Sequence, residues 1–170
     1  MEISKDILYP KINKPSCKVF LVGGPPGSGK STFVKNNAKP SDIIIDLDEI
    51  MASLSRLPLY QANHEEWIIK SMEERNRLIN SLSMADKSIT AWVIVSASGT
   101  QWAWWKRNLR ANNTHSCWCP IDICIARIRN DKRRAHDLNH HISTCISWFK
   151  NEEMAIKRLS IGASYRGYDE

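Results

Sequence analysis

Gly24-Pro25-Pro26-Gly27-Ser28-Gly29-Lys30-Ser31 follows the pattern G-x-x-x-x-G-K-[ST], and Thr32 continues it. Glycines at this spacing let backbone N–H groups curl around phosphate oxygens, and a helix starting at the end of the loop adds its unpaired N–H groups and positive dipole end. Lys30 brings a point charge toward the β and γ phosphates, and the Ser31 hydroxyl suits Mg²⁺. The chemistry open to these residues is to hold a nucleoside triphosphate, ATP with Mg²⁺. Gly24 to Thr32 is the expected nucleotide-binding segment, with Lys30 also acting in catalysis.

A loop of this kind works only between a strand and a helix, and the flanking residues predict both. Lys18–Gly23 (KVFLVG) is an apolar, β-branched run stopped by the glycines and prolines of the loop. Helix is expected from about Gly29 to Lys39, where Pro40 disfavours continuation. A second apolar run, Ile43-Ile44-Ile45, ends in Asp46-Leu47-Asp48-Glu49, which puts carboxylates at a strand end. From Glu65 to Leu82, the residues Ile68, Met72, Arg75, Ile79 and Leu82 recur at steps of four and three, one face of a helix. Arg75 lies on that apolar stripe, either aimed into a cleft toward an acceptor or its phosphate, or paired internally with Asp46 or Asp48.

Ala91–Ser98 is a third expected strand, followed by a helix with Trp102, Trp105 and Leu109 on one face. Cys117–Cys119 is a fourth, ending at Pro120, a favourable first helical residue. Ile121, Ile125 and Ile128 continue that helix into the basic stretch RNDKRRAHD, and a last helix carries Leu138, Ile142, Cys145, Ile146 and Phe149. Strands alternating with helices predict an α/β fold, a mainly parallel sheet with helices on both faces. The expected organisation is a single domain over 1–170, with 1–16 as a lead-in draped over the fold and 160–170 as a mobile tail.

The chain of 170 residues is 42% hydrophobic and 25% charged, which suits one domain with a real core. Its net charge of +6 favours phosphate-bearing partners, nucleotides or nucleic acid on a basic surface. Five cysteines without a regular framework, and a start lacking an apolar signal-peptide core, point to the cytoplasm. No apolar run is long enough to span a bilayer, so no membrane partner is expected.

Between about Lys18 and Phe149 the chain resembles small P-loop kinases of the zeta-toxin and polynucleotide 5′-kinase type, including AAA-type ATP-binding proteins of tailed-phage genomes. The resemblance rests on GGPPGSGKST, the strand-end IDLDE, the Arg75-Asn76 pair, VIVSAS and ARIRNDKRR. It implies a P-loop NTPase three-layer sandwich with a short basic lid, and the host cytoplasm where such a chain is phage-encoded. It also implies that Asp48 takes the proton of an acceptor hydroxyl and that Asp46 helps position Mg²⁺ through water. Elementary chemistry agrees about Asp48, since an acceptor hydroxyl needs a carboxylate within hydrogen-bond reach. A loop acid or helix N-cap is the plainer reading of the same residue.

The family places arginines in a lid over the transferring phosphate. The matching segment is Arg127–Arg134, with Arg127 and Arg133 as the catalytic choices and a solvated basic loop as the alternative. Met51 stands three positions after Asp48, where related kinases carry a basic residue, and Ser96 replaces an acid at the third strand end. The implied function is ATP-dependent transfer of the γ-phosphate to a nucleotide, a nucleic-acid 5′ end or a nucleotide sugar. Two rivals are an ATPase in a nucleic-acid assembly such as phage DNA packaging, and a degenerate nucleotide-binding partner protein.

Two further constellations carry less. Cys117, Cys119 and Cys145 with His115, His136, His140 and His141 suggest zinc, but C-x-C is a poor spacing for it. Trp102, Trp104 and Trp105 beside Lys106 and Arg107 could stack bases, although a core helix face explains Trp102 and Trp105 better, with Trp104 partly exposed.

Overall fold

The computed structural model describes residues 3–165. Four strands, β1 (Lys18–Gly23), β2 (Ile43–Asp46), β3 (Thr90–Val95) and β4 (Asn113–Ser116), form one all-parallel sheet in the order β2-β3-β1-β4. The helices are α1 (Lys5–Leu8), α2 (Lys30–Asn37), α3 (Leu47–Ser55), α4 (His64–Ser81), α5 (Gly99–Leu109), α6 (Ile121–Asn130) and α7 (Leu138–Tyr165).

The two central strands alternate their side chains between two apolar layers, as a parallel sheet covered on both faces requires. Val19, Leu21, Ala91, Val93 and Val95 join Ile50 of α3, Ile79 of α4 and Trp105 and Leu109 of α5 on one face. Val22, Trp92 and Ile94 meet Val34 of α2 on the other, with Phe20 stacked on Trp92 at 4.5 Å. The structure is thus the expected three-layer α/β sandwich. A separate apolar cluster of Cys119, Cys124, Ile128 and Cys145 joins α6 to α7.

Three elements differ from the sequence reading. The fourth strand is Asn113–Ser116, not Cys117–Cys119; all four residues are exposed on the sheet edge, so no apolar run marks them. The pairing ends where Cys117 N donates to Gly23 O at 2.8 Å. Helix α3, not expected from the sequence, follows directly on β2, and the Asp46 side chain caps it. The helical backbone of α7 reaches Tyr165, into the segment expected as a tail from 160, whose last residues 166–170 lie outside the described residues.

The lead-in packs along α4. Asn76 Nδ2 donates to Ile7 O at 2.9 Å, Asn80 Nδ2 to Lys11 O at 3.1 Å, and Asn13 N to Asn80 Oδ1 at 2.8 Å. Ile3, Ile7 and Leu8 rest on Met51, Ile68 and Met72, and Tyr9 meets Trp104 edge-on at 5.2 Å. Trp104 is therefore half-buried under the lead-in. Among the described residues no helix is long and apolar enough to cross a membrane.

Burial sets an expected contrast in stability. Ile79 is fully buried between α4 and the sheet, whereas Met84 is 90% exposed. Ile79→Ala should cost about 2–5 kcal/mol in urea denaturation, and Met84→Ala less than about 0.5 kcal/mol.

Candidate active site

β1 ends at Gly23, and the chain turns through Gly24–Gly29 into the first turn of α2. The turn is pressed against the β4–α6 connection. A Cβ on Gly24, at φ 140°, would lie 2.4 Å from Cys117 O, and one on Gly27, at φ 81°, 2.6 Å from Cys124 O. Both obstacles are backbone atoms, so glycine is demanded even at position 27, where the motif itself allows any residue. Within the turn the Ser28 hydroxyl is buried without a hydrogen-bond partner, a donor left over for a phosphate oxygen. Pro25 and Pro26 shape the same turn, and Thr32 follows in α2.

Lys30 is buried and folds back over the turn, Nζ donating to Gly24 O and Pro25 O at 2.9 Å each. Burial lowers its pKa, while the charges of Asp48 and Asp46 oppose that shift. The Ser31 hydroxyl donates to Asp46 Oδ2 at 2.9 Å. The other oxygen of Asp46 accepts from Asp48 N at 3.1 Å and caps α3. The N-cap is therefore Asp46, which releases Asp48 from that role. Asp48 lies in the first turn of α3, with its exposed side chain on the lining of a cleft. Desolvation, reinforced by the Asp46 charge, raises its pKa to about 6 against the opposing charges of Arg134 and Lys30.

That cleft is a cavity of about 450 Å³ at the carboxyl ends of the strands, lined by the phosphate loop, Asp46, Asp48, Arg75 and Ser96, and by the segment after α6. Arg127 reaches the loop, Nη1 donating to Gly27 O at 3.3 Å. Arg133 forms a two-pronged pair with Asp131, both contacts at 2.8 Å, and its side chain is 59% exposed. Arg134 turns inward instead and is only 11% exposed. Its guanidinium lies 3.7 Å over the Tyr60 ring, its Nε is 3.4 Å from Asp131, and its Nη1 donates to His141 Nδ1 at 3.2 Å. Burial first, and then the Arg134 charge, drive the His141 pKa down to about 4, so its ring is neutral and accepts that bond. The Tyr60 hydroxyl is pushed up to about 12 by burial, and next by Asp48.

Arg75 is buried in the cavity wall. Its Nε and Nη2 donate to Asn76 Oδ1 at 3.2 and 3.0 Å, and its guanidinium sits 4.9 Å above the Trp105 ring. Burial lowers its pKa to about 10. Among the described residues it forms no ion pair with Asp46 or Asp48, so the internal salt-bridge alternative has no counterpart.

The structure thus brings Gly27, Lys30, Ser31, Asp46, Asp48, Arg75, Arg127 and Arg133 around one cavity, and it adds residues the sequence reading did not assign to this site. Arg134, Tyr60, Asp131, His64, His140 and His141 line the same space, with the His64 and His140 rings 4.4 Å apart. Arg134 had a signal, its place in the basic stretch, but nothing separates it from Arg133 in sequence. No group of three or more His, Cys, Asp or Glu among the described residues could hold a metal alone. Cys119, Cys124 and Cys145 are buried together, and burial raises the Cys124 thiol pKa to about 12.

Gly27→Ala should therefore fold less stably, by roughly 1–3 kcal/mol, and bind nucleotide at least tenfold more weakly. Urea denaturation and titration with a fluorescent ATP analogue measure the two effects; wild-type values in both would contradict the packing of the loop.

The sequence profile described as AAA domain (AAA_33) matches residues 19–150, from the second residue of β1 into α7. No curated protein matches the chain. The matched span holds the phosphate loop, both aspartates, Arg75 and the arginines after α6, all on the parallel sheet that a P-loop NTPase fold requires. The chain belongs to the AAA domain family AAA_33, a P-loop family of kinases and nucleotide-binding ATPases.

Proposed function

We propose that this chain is an ATP-dependent phosphotransferase that moves the γ-phosphate to a hydroxyl or phosphate of a nucleotide, a nucleic-acid 5′ end or a nucleotide sugar. It works in the manner of zeta-toxin and polynucleotide 5′-kinase enzymes. The observation that carries the reading is that one cavity of about 450 Å³ encloses the phosphate loop together with Asp48. An acceptor hydroxyl needs a carboxylate within reach of the triphosphate, and Asp48 shares this cavity with the loop that would hold it.

In this reading Gly24–Thr32 cradles the triphosphate, and Lys30 leaves the carbonyls of Gly24 and Pro25 for the phosphate oxygens. Asp48 accepts the proton of the acceptor hydroxyl. The acceptor oxygen bonds to the γ-phosphorus as the bond from that phosphorus to the bridging oxygen breaks, and ADP departs with that electron pair. Arg127 and Arg133, with Arg134 beside them, supply positive charge to the equatorial oxygens of the group in flight. A pKa of about 6 suits Asp48 to this work: it is ionised at neutral pH and more basic than an ordinary carboxylate.

Ser31 and Asp46 fit a Mg²⁺ ion, because they present two hard oxygens 2.9 Å apart beside the loop and leave its remaining positions to phosphates and water. Bound there, Mg²⁺ would neutralise phosphate charge. The net charge of +6 suits a nucleic-acid acceptor.

Transfer of label from γ-labelled ATP with Mg²⁺ should appear on one member of a panel of nucleosides, nucleotides, 5′-hydroxyl oligonucleotides and nucleotide sugars. Lys30→Ala should abolish it, and Asp48→Asn should lower kcat by about 10²–10⁴-fold. Release of free phosphate alone, stimulated by nucleic acid, would replace this reading with the ATPase; tight binding without turnover would replace it with the nucleotide-binding partner protein.

The pH dependence has a definite sign. Asp48 must be ionised to take a proton, so kcat/KM for the acceptor should be level above pH about 6 and fall about tenfold per unit below it. A profile flat down to pH about 4.5 would remove Asp48 from the role.

A further inference from the structure

Arg75 carries a positive charge that its surroundings leave uncompensated. It is 6% exposed and pairs with no carboxylate among the described residues. Below it lies the Trp105 ring, and Met72 stands one turn earlier on α4 in the same cavity wall. A cation removed from water without a counter-charge is strongly unfavourable, and such sites are filled by an anion when one is available. The other cations of the cavity are engaged elsewhere: Lys30 with the loop carbonyls, Arg127 with Gly27 O, and Arg133 and Arg134 with Asp131.

Geometry says which part of the cavity this charge serves. Helix α4 packs on the sheet face opposite α2, the helix that opens at the phosphate loop. Arg75 therefore enters the cavity from the side away from the triphosphate cradle. Asn76 occupies the Nε–H and one Nη2–H, which leaves three of the five guanidinium N–H donors. Trp105 blocks one face of the guanidinium, so a ligand must approach in its plane, the geometry of arginine–phosphate pairs. A phosphate monoester offers three terminal oxygens and close to two negative charges at neutral pH, which suits three free donors and one unbalanced cation.

We propose that Arg75 anchors an acceptor-side anion subsite, and that the hydroxyl compound phosphorylated by this protein already carries a phosphate group, held by Arg75 while its hydroxyl faces Asp48. The word acceptor rests on the phosphotransfer reading; the anion subsite does not.

The test separates the two. Inorganic phosphate is titrated calorimetrically into protein saturated with Mg²⁺ and a non-hydrolysable ATP analogue, so that the loop is filled. One phosphate should bind per chain, at least tenfold more weakly to Arg75→Gln and at least threefold more weakly to Arg75→Lys, which keeps the charge but loses the planar fork. No binding to the wild type, or equal binding to Arg75→Gln, overturns the subsite. Should Arg75→Gln fail to fold, wild-type affinity in Arg75→Lys overturns it equally.

In transfer assays with acceptor pairs differing only by a phosphate, the wild type should prefer the phosphorylated member at least tenfold in kcat/KM. Arg75→Gln should erase that preference with the KM for ATP unchanged; a purely structural Arg75 would slow both members alike and leave the ratio intact, which overturns the proposal. Phosphate bound at Arg75 with no label transferred to any acceptor retires the phosphotransfer reading and leaves the subsite standing.

Discussion

The carboxylate of Asp46 is shared between two helices. One oxygen takes the Ser31 hydroxyl from the first turn of α2, and the other takes the backbone N–H of Asp48 at the start of α3. β2 and β1 are not neighbours, since β3 runs between them, so this carboxylate bridges to the phosphate loop across an intervening strand. It ties both helix starts to one strand end. The separation between Lys30 and Asp48 follows from it, and with that the electrostatics: Asp46 raises the pKa of Asp48, and both carboxylates counter the loss of Lys30 basicity on burial.

The segment after α6 answers that arrangement from the opposite wall. Asp131 gathers Arg133 and Arg134 and caps the short helical turn that carries them. Both guanidiniums lie over the Tyr60 ring, Arg134 closely at 3.7 Å and largely buried, Arg133 at 5.6 Å and more exposed. The inward one reaches the neutral ring of His141 on α7. Polar contacts across the cavity therefore join α6, α7 and the stretch before α4.

The phosphate loop, the first three strands and the long helix α4 are legible in the sequence because their signals are local: a fixed motif, apolar runs and a period near 3.6. Arg75 is legible for the same reason, as a charge on an apolar stripe. β4 is not, because an exposed edge strand of Asn, Thr, His and Ser has no apolar face to alternate. The choice between Arg133 and Arg134 depends on how the turn at Asp131 is oriented. Tyr60, His64, His140 and His141 meet only because the α3–α4 connection and the first turn of α4 come up against the start of α7, and no spacing encodes that meeting. Gly27 is the converse case, an unconstrained place in the motif that the neighbouring Cys124 carbonyl closes to every side chain.

One wall of the cavity comes from the lead-in, where Leu8 and Tyr9 face the same space as Arg75. Its helix α1 is four residues long and buries none of them, and the side-chain amides of Asn76 and Asn80 hold its backbone beside the apolar contacts of Ile3, Ile7 and Leu8. Proteins open segment by segment, and a segment with little buried surface opens at a small fraction of the global unfolding free energy. The cavity is thus framed by parts of unequal burial, a sheet with a buried core on both faces and a strap whose short helix buries no residue. Asn76 belongs to both regimes, since one end of its amide holds the strap at Ile7 and the other holds the guanidinium of Arg75. A displacement of Ile7 would therefore reach the buried guanidinium through a single amide.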